Sequence, residues 1–170
     1  MAAVVFTRRA VVTFAALAAG GLGGCNTNQT AAVQPQAVSG FRIGNIAVNT
    51  APLLAQSGDP TASWVQQALP GQLAQAFAAH MAPGDPAGAT LNVRIDSVYL
   101  GGGGPADPDT MRGAATLSGG GVAARTTRLR ATSTYIANPT DQALVEQALQ
   151  GRVTALSQSF AYWLKRRWRL

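Results

Sequence analysis

Apolar and polar positions alternate in four segments of the chain, which predicts four β-strands. These segments are residues 41–49, 90–100, 110–118 and 122–137. In the second segment Leu91, Val93 and Ile95 alternate with polar residues, so we expect one face of the sheet to be buried and the other to be wet. In the first segment the phase of the alternation slips at Gly44, which indicates a β-bulge.

A different period, with apolar residues every three or four positions, predicts an amphipathic helix after the first strand. Asp59 and Pro60 begin this helix, because Asp caps a helix N-terminus well and Pro suits the first helical position. Pro70 interrupts the apolar stripe and is expected to kink or split the helix, since its ring clashes with the preceding turn. The helix ends at the Pro- and Gly-rich segment 82–86, and residues 51–58 before it are predicted to form a loop.

The same period returns after the fourth strand and predicts a second helix. Asn138 and Pro139 begin it, and Gly151 is expected to weaken or break it. Its predicted apolar stripe consists of Val145, Leu149, Val153, Leu156, Phe160 and either Trp163 or Leu164.

The predicted order of elements is therefore β-α-β-β-β-α, which indicates an α+β fold. The first two strands are joined through a helix and can pair in parallel by a right-handed crossover. The last three strands are joined by turn-rich loops and are expected to form an antiparallel meander. Because each helix has one apolar stripe and each strand one apolar face, we expect two helices packed on one face of a mostly antiparallel four-stranded sheet.

Residues 1–25 precede this domain and have the layout of a secretory signal. Arg8 and Arg9 give it a positive start, an uncharged apolar run follows over residues 10–22, and small residues lead to Cys25, the one cysteine of the chain. A membrane-spanning helix needs about 20 apolar residues, and this run is shorter. An uncleaved membrane helix, an ordinary secretory signal and a buried structural cysteine are the alternatives.

The ending Leu22-Gly23-Gly24-Cys25 resembles the lipobox of bacterial lipoproteins. The resemblance implies that the signal, residues 1–24, is cleaved before Cys25 and that this cysteine is diacylated on its sulfur. Residues 25–40 are polar and uncharged, and we predict that they form the lipid-bearing, flexible tether. Residues 41–170 are then a single α+β domain.

The residue after the cysteine bears on the destination of such a lipoprotein. In lipoproteins of diderm bacteria an Asp at this position favours retention in the inner membrane. Since the residue here is Asn26, the resemblance implies an outer-membrane anchor with the domain facing the periplasm. Inner-membrane anchoring and secretion are the alternatives. Thr7-Arg8-Arg9 also resembles a twin-arginine signal, so both that export route and the Sec route stay open.

Basic side chains outnumber acidic ones in this sequence. Residues 25–170 carry 11 basic and 7 acidic side chains, a net charge of +4. Such a surface suits anionic lipid headgroups, lipopolysaccharide phosphates or nucleic acid. An exported lipoprotein rarely meets nucleic acid, so we expect lipid rather than nucleic acid as the anionic partner. An ordinary soluble domain can also carry this charge without any such partner.

Two groups of basic residues are candidate contacts for anionic lipid or an acidic partner. On the strands, Arg128 and Arg130 share one face, and Arg94 is expected to face the same side, with Arg125 nearby. At the C-terminus the group consists of Lys165, Arg166, Arg167, Trp168 and Arg169. Trp163 and Trp168 are predicted to lie at the membrane interface. A solvated sheet face and a favourable helix C-terminus are the alternative explanations.

Residue types that carry out catalysis are sparse. His80 is the only histidine, and one histidine with one cysteine cannot form the usual tetrahedral metal site. Asp107 and Asp109 flank a proline in a Gly-rich loop and are interpreted as turn residues, and no G-x-S-x-G motif occurs. We therefore predict no catalytic residues, no metal and no cofactor, and hence no enzyme.

A lipobox followed by this order of elements resembles two families of small envelope lipoproteins. They are the LPS-assembly lipoproteins of the outer-membrane translocon and the auxiliary lipoproteins of ABC-type lipid transport systems. The lipobox is the only specific motif in this resemblance, and no side-chain signature of either family carries over. The resemblance implies a non-enzymatic assembly or transport accessory that binds an envelope protein and anionic lipid or lipopolysaccharide. A lipid-tethered hydrolase and a purely structural lipoprotein are the alternatives.

Overall fold

The computed structural model describes residues 40–58, 60–102, 104–134 and 145–170. All of them belong to one compact unit of the chain, Pro35–Leu170. The other unit, Met1–Gln34, lies outside the described residues. The predictions for the signal, for Cys25 and for the tether up to residue 39 therefore fall outside them too.

The described residues form four strands, three α-helices and one 3₁₀ helix. In chain order these are β1 (Ile43–Asn49), α1 (Ala51–Ser57), α2 (Thr61–Ala76), a 3₁₀ helix (Ala78–His80), β2 (Ala89–Tyr99), β3 (Asp109–Gly119), β4 (Val122–Ser133) and α3 (Val145–Trp168). The α+β class is as predicted, but the predicted order gains a helix after the first strand. The fourth strand ends at Ser133, four residues before its predicted end.

The strands form one mixed sheet in the order β1-β2-β3-β4. β1 pairs in parallel with β2, whereas β2 with β3 and β3 with β4 are antiparallel. The parallel first pair and the meander of the last three strands are thus both confirmed. β1 and β4 are the edge strands.

The bulge predicted near the start of β1 is also confirmed. The register with β2 shifts between Ile43 and Asn45, and Gly44 lies at the shift. A Cβ atom on Gly44 would lie 2.3 Å from the carbonyl oxygen of Asp85. Only glycine therefore lets the turn before β2 approach so closely, and the Gly84 N–H donates a 3.1 Å hydrogen bond to the Gly44 carbonyl there.

Helix α1 lies where a loop was expected. Pro52 occupies its first turn, where a missing N–H costs nothing, and the Asn49 side chain accepts a hydrogen bond from the Ala51 N–H at 2.9 Å. Leu53 is the only buried residue of this helix. Seven residues with one buried position carry too little apolar periodicity to indicate a helix.

Helix α2 is continuous from Thr61 to Ala76, so the expected split at Pro70 does not occur. Pro70 leaves the carbonyl of Gln66 without its helical partner, but Gln66 is at an exposed position where water can replace that partner. The helix begins one residue later than predicted, with Pro60 in the capping position. The predicted cap, Asp59, lies outside the described residues.

Helix α3 runs through Gly151 without the break expected there. At the end of the predicted stripe, Leu164 is buried and Trp163 is exposed, and Val145 at its start is exposed as well. The predicted beginning at Asn138 lies outside the described residues. The buried residues of α3 are Val153, Leu156, Ser157, Phe160, Ala161, Leu164 and Trp168.

The core lies on one face of the sheet. One cluster of buried side chains joins alternate strand residues, such as Leu91, Val93 and Ile95, to the helices that cover them. Three helices, where two were expected, pack on this face. The intervening strand residues, including Asn92 and Arg94, are exposed on the opposite face.

Candidate functional site

The open face of the sheet carries four arginines that the strand register brings together. Arg94 pairs across the strands with Ala114, and Ala114 pairs with Arg128. Arg112 pairs with Arg130 in a neighbouring row. Since residues two positions apart on a strand share a face, all four project from the side opposite the core. We call Arg94, Arg112, Arg128 and Arg130 the arginine face.

The register confirms that three of these residues face the same side, as expected, and it adds Arg112. Arg112 was not among the predicted residues, although its alternation with buried Met111 and Gly113 was the available signal. Arg125, in contrast, pairs with buried Leu117 and therefore lies on the core side of the sheet.

Acidic side chains compensate little of this charge. Arg94 Nε lies 2.8 Å from Asp96 Oδ1, and the two side chains are 53% and 40% exposed, so this pair stabilises the fold by less than about 1 kcal/mol. Within the described part of the chain, the other three members of the arginine face make no ion pair. The face therefore keeps positive charge that an anionic partner can neutralise.

Next to Arg94 and Arg128, the open face of the sheet is concave. Ala47 on β1 and Ala114 on β3 place short side chains where longer ones would fill the space. Beside them the Oγ1 atoms of Thr116 and Thr126 lie 2.9 Å apart and satisfy each other. The resulting depression has a volume of about 400 Å³, and Arg94 and Arg128 also line it. It can receive several side chains of a partner surface.

A second depression lies where the edge strand β4 meets the last turns of α3. Its volume is about 250 Å³, and it is lined by Arg128, Leu129, Arg130, Trp163 and Arg167. We call it the β4–α3 notch. Arg128 lines both depressions, so the arginine face and the notch form one continuous basic surface.

Beside the notch, α3 presents two exposed aromatic side chains. The rings of Tyr162 and Trp163 meet edge to face with their centroids 5.5 Å apart, and the side chains are 54% and 45% exposed. The Arg166 guanidinium lies 5.4 Å from the Trp163 ring centroid, and its Nη1 donates a hydrogen bond to the Tyr162 hydroxyl at 3.3 Å. Cation–π and edge-to-face contacts thus hold the three side chains together outside the core.

Trp168 is not part of this exposed group, and its predicted place at a membrane interface is wrong. Its side chain is only 1% exposed, and its Nε1 donates a hydrogen bond to Thr127 Oγ1 at 2.8 Å. Its ring packs against Phe77 at a centroid distance of 5.8 Å. The physical reason is helical spacing, because Trp168 follows Phe160 and Leu164 by eight and four positions and so shares their buried stripe.

The remaining C-terminal cations stay at the surface. Arg166, Arg167 and Arg169 are exposed, and Lys165 is partly exposed. Three of the four lie in the last turn of α3, where the negative end of the helix dipole favours positive charge.

A largely buried ion pair joins α3 to the start of β3 and, through Gly101, to the Gly-rich loop before it. Arg152 Nε donates to Asp109 Oδ2 at 2.9 Å, and Arg152 Nη2 donates to Asp109 Oδ1 and to the Gly101 carbonyl. The Gly101 N–H donates to Asp109 Oδ1 at 3.1 Å. Asp109 is completely buried, and its hydrogen bonding raises the pKa of Arg152 above the ordinary value. Arg152 was not among the predicted residues, because its partner lies 43 positions away in the sequence.

Asp107 holds the other side of the same loop. Its Oδ2 accepts hydrogen bonds from the Gly102 N–H at 2.7 Å and from the Tyr99 hydroxyl at 3.4 Å. The charge of Asp107 raises the pKa of Tyr99, because a nearby anion disfavours the phenolate. Asp107 thus fixes the loop, in agreement with its interpretation as a turn residue. Asp109, in contrast, is the first residue of β3 and is buried in the ion pair with Arg152, so its interpretation as a turn residue is wrong.

His80 stacks on Phe41, with ring centroids 4.8 Å apart and planes 7° from parallel. This contact packs the last residue of the 3₁₀ helix against a residue just before β1. No group of three or more His, Cys, Asp or Glu side chains within the described ranges is placed to hold a metal ion.

Comparison with known proteins adds no relative from which a function could be inferred. No protein-family model matches the chain, and no curated protein has a significantly similar sequence. Among the helices of the described residues, none combines the length and the hydropathy needed to cross a membrane.

Proposed function

We propose that this protein is a non-enzymatic, lipid-anchored envelope lipoprotein that acts as an assembly or transport accessory. Its anchor is the fatty acid on Cys25, in the outer membrane with the domain facing the periplasm. Its binding surface is the arginine face, and its partner there is an envelope protein that presents acidic side chains.

The observation that carries this proposal is the convergence of four arginines from three strands on one open sheet face. An ordinary solvated face would have mixed charges, whereas the described acidic side chains offer only Asp96 as an ion-pair partner here. The planar guanidinium group matches the geometry of carboxylates, and Arg is favoured at interfaces. A solvent-open depression between such residues suits the side chains of a partner better than a small substrate, which is usually enclosed.

The anchor is tested by mass spectrometry of the purified protein. We expect a mature chain that begins at Cys25 and carries fatty acid. An intact leader, or an unmodified thiol on Cys25, would remove the membrane placement.

The arginine face is tested by crosslinking in intact cells followed by isolation of the protein. We expect the native chain to retain a defined envelope protein and the double variant Arg94→Glu, Arg112→Glu to lose it, because charge reversal repels acidic side chains. The matched control is Arg42→Glu, since Arg42 is exposed before β1 and lies outside the arginine face. Retention of the same protein by the double variant would contradict the proposal.

A further inference from the structure

We propose that the β4–α3 notch binds the phosphate group of an anionic lipid headgroup, so that the end of α3 rests on the membrane surface. This goes beyond the function proposed above, because it concerns a different depression and a lipid rather than a protein partner. The two proposals can also be separated by experiment. Arg94 and Arg112 belong to the arginine face and do not line the notch, whereas Arg167 lines the notch and does not belong to the arginine face.

The chemistry of the notch selects an anion with several oxygen atoms. Arg128 and Arg130 on β4 and Arg167 on α3 all line it, so three cationic residues from two elements border one small space. None of the described residues that line it is acidic. A guanidinium group can donate two parallel hydrogen bonds to a phosphate, and a bound phosphate would relieve the repulsion between neighbouring cations. The volume of about 250 Å³ is large enough for the phosphate of a headgroup.

The aromatic side chains beside the notch indicate that the phosphate belongs to a lipid. Free phosphate would need only the guanidinium groups and would leave the exposed Tyr162–Trp163 pair unexplained. Tyr and Trp are enriched at the level of lipid headgroups, where an apolar ring and a polar edge are both satisfied. Arg166, which contacts both aromatic side chains, adds positive charge beside the notch and so adds attraction to an anionic surface.

The tryptophans of the chain provide a direct probe of this site. Trp64 and Trp168 are 8% and 1% exposed, whereas Trp163 lines the notch and is 45% exposed. Acrylamide in the aqueous phase will therefore quench mainly Trp163, and the variant Trp163→Phe identifies its share of the emission. The purified full chain is mixed either with phosphatidylcholine vesicles or with the same vesicles containing phosphatidylglycerol. Every variant keeps Cys25, so anchoring through it is common to all samples.

With phosphatidylglycerol vesicles we expect the Trp163 emission to shift to the blue and its quenching constant to fall by about half, because an indole at headgroup level is screened from the quencher. The double variant Arg130→Gln, Arg167→Gln should lose this protection. Arg42→Gln and the double variant Arg94→Gln, Arg112→Gln should keep it, which also shows that the two members of the arginine face outside the notch are not required. Unchanged emission of each variant without vesicles checks its fold.

Three results would overturn the inference. Equal protection by pure phosphatidylcholine vesicles would show that anionic phosphate is not recognised. Full protection in the Arg130→Gln, Arg167→Gln variant would show that the notch is not the site. Equal protection by inorganic phosphate or by polyglutamate without vesicles would assign the notch to a free anion or to an acidic protein.

Discussion

Asp109 links two parts of the chain that are far apart in sequence. In the sequence it follows a proline in a Gly-rich loop, and that context indicates a turn. In the fold it is completely buried at the start of β3 and is paired with Arg152 from the second turn of α3. The Gly101 N–H and carbonyl complete the hydrogen bonding of the pair. No buried side-chain nitrogen or oxygen among the described residues lacks a partner.

Asp109→Asn should therefore lower the free energy of unfolding by about 3 kcal/mol, because it leaves a largely buried guanidinium without its counter-charge. Asp96→Asn is the matched control, since it breaks the exposed pair with Arg94 and should cost less than about 1 kcal/mol. Urea denaturation measures both. Equal losses in the two variants would contradict a structural role for the buried pair.

Tyr99 should titrate at higher pH than an ordinary tyrosine. Asp107 raises its pKa by charge repulsion and by accepting a hydrogen bond from the phenol. Because the folded-state pKa lies above the unfolded value near 10, this contact stabilises the fold below that pH and is lost as the pH rises through the folded-state value. The ultraviolet difference titration between the native chain and Tyr99→Phe measures the shift, and Asp107→Asn should abolish it.

At the scale of elements, α3 serves two purposes with adjacent residues. Phe160, Leu164 and Trp168 follow one another at four-residue spacing and face the core, whereas Tyr162 and Trp163 lie outside that stripe and are exposed. One helix therefore anchors the sheet and presents an aromatic surface. The same spacing explains why two tryptophans five positions apart have opposite environments.

Replacing these two tryptophans should separate the two purposes. Trp168→Ala should lower the free energy of unfolding by about 3–5 kcal/mol, since it leaves a cavity and removes the hydrogen bond to Thr127. Trp163→Ala should lower it by about 1 kcal/mol, because the half-exposed ring makes only surface contacts with Tyr162 and Arg166. Thermal or urea unfolding measures both values, and a similar cost for the two variants would contradict the assignment of the buried stripe.

At the scale of the whole molecule, short-range patterns predicted the sheet well and the helices less well. The alternation of Leu91, Val93 and Ile95 identified β2 and its buried face. Helix α1 has a single buried residue and therefore gave no periodic signal. The continuity of α2 through Pro70 depends on whether water can reach the carbonyl of Gln66, which Pro70 leaves without a helical partner. The spacing of apolar residues does not indicate this.

The sequence predicted three of the four members of the arginine face, including Arg94 on a different strand from Arg128 and Arg130. Arg128 and Arg130 share a face by their spacing alone, but Arg112 joins them through pairing between β3 and β4. The notch combines β4 with α3, and the ion pair of Asp109 with Arg152 spans 43 positions. These features depend on contacts between residues that are far apart in the sequence, and a local sequence pattern does not specify such contacts. Lipidation of Cys25 stays a prediction from the lipobox.

The central claim is that the open sheet face is the binding surface of the protein. A photo-crosslinking amino acid placed at Ala114, in the floor of its depression, tests this most directly in living cells. A second chain carrying the same group at Gln67, exposed on α2 on the other side of the molecule, is the control. We predict a discrete adduct with one envelope protein from position 114 and none from position 67. No adduct at position 114, or the same adduct from both positions, would contradict the account.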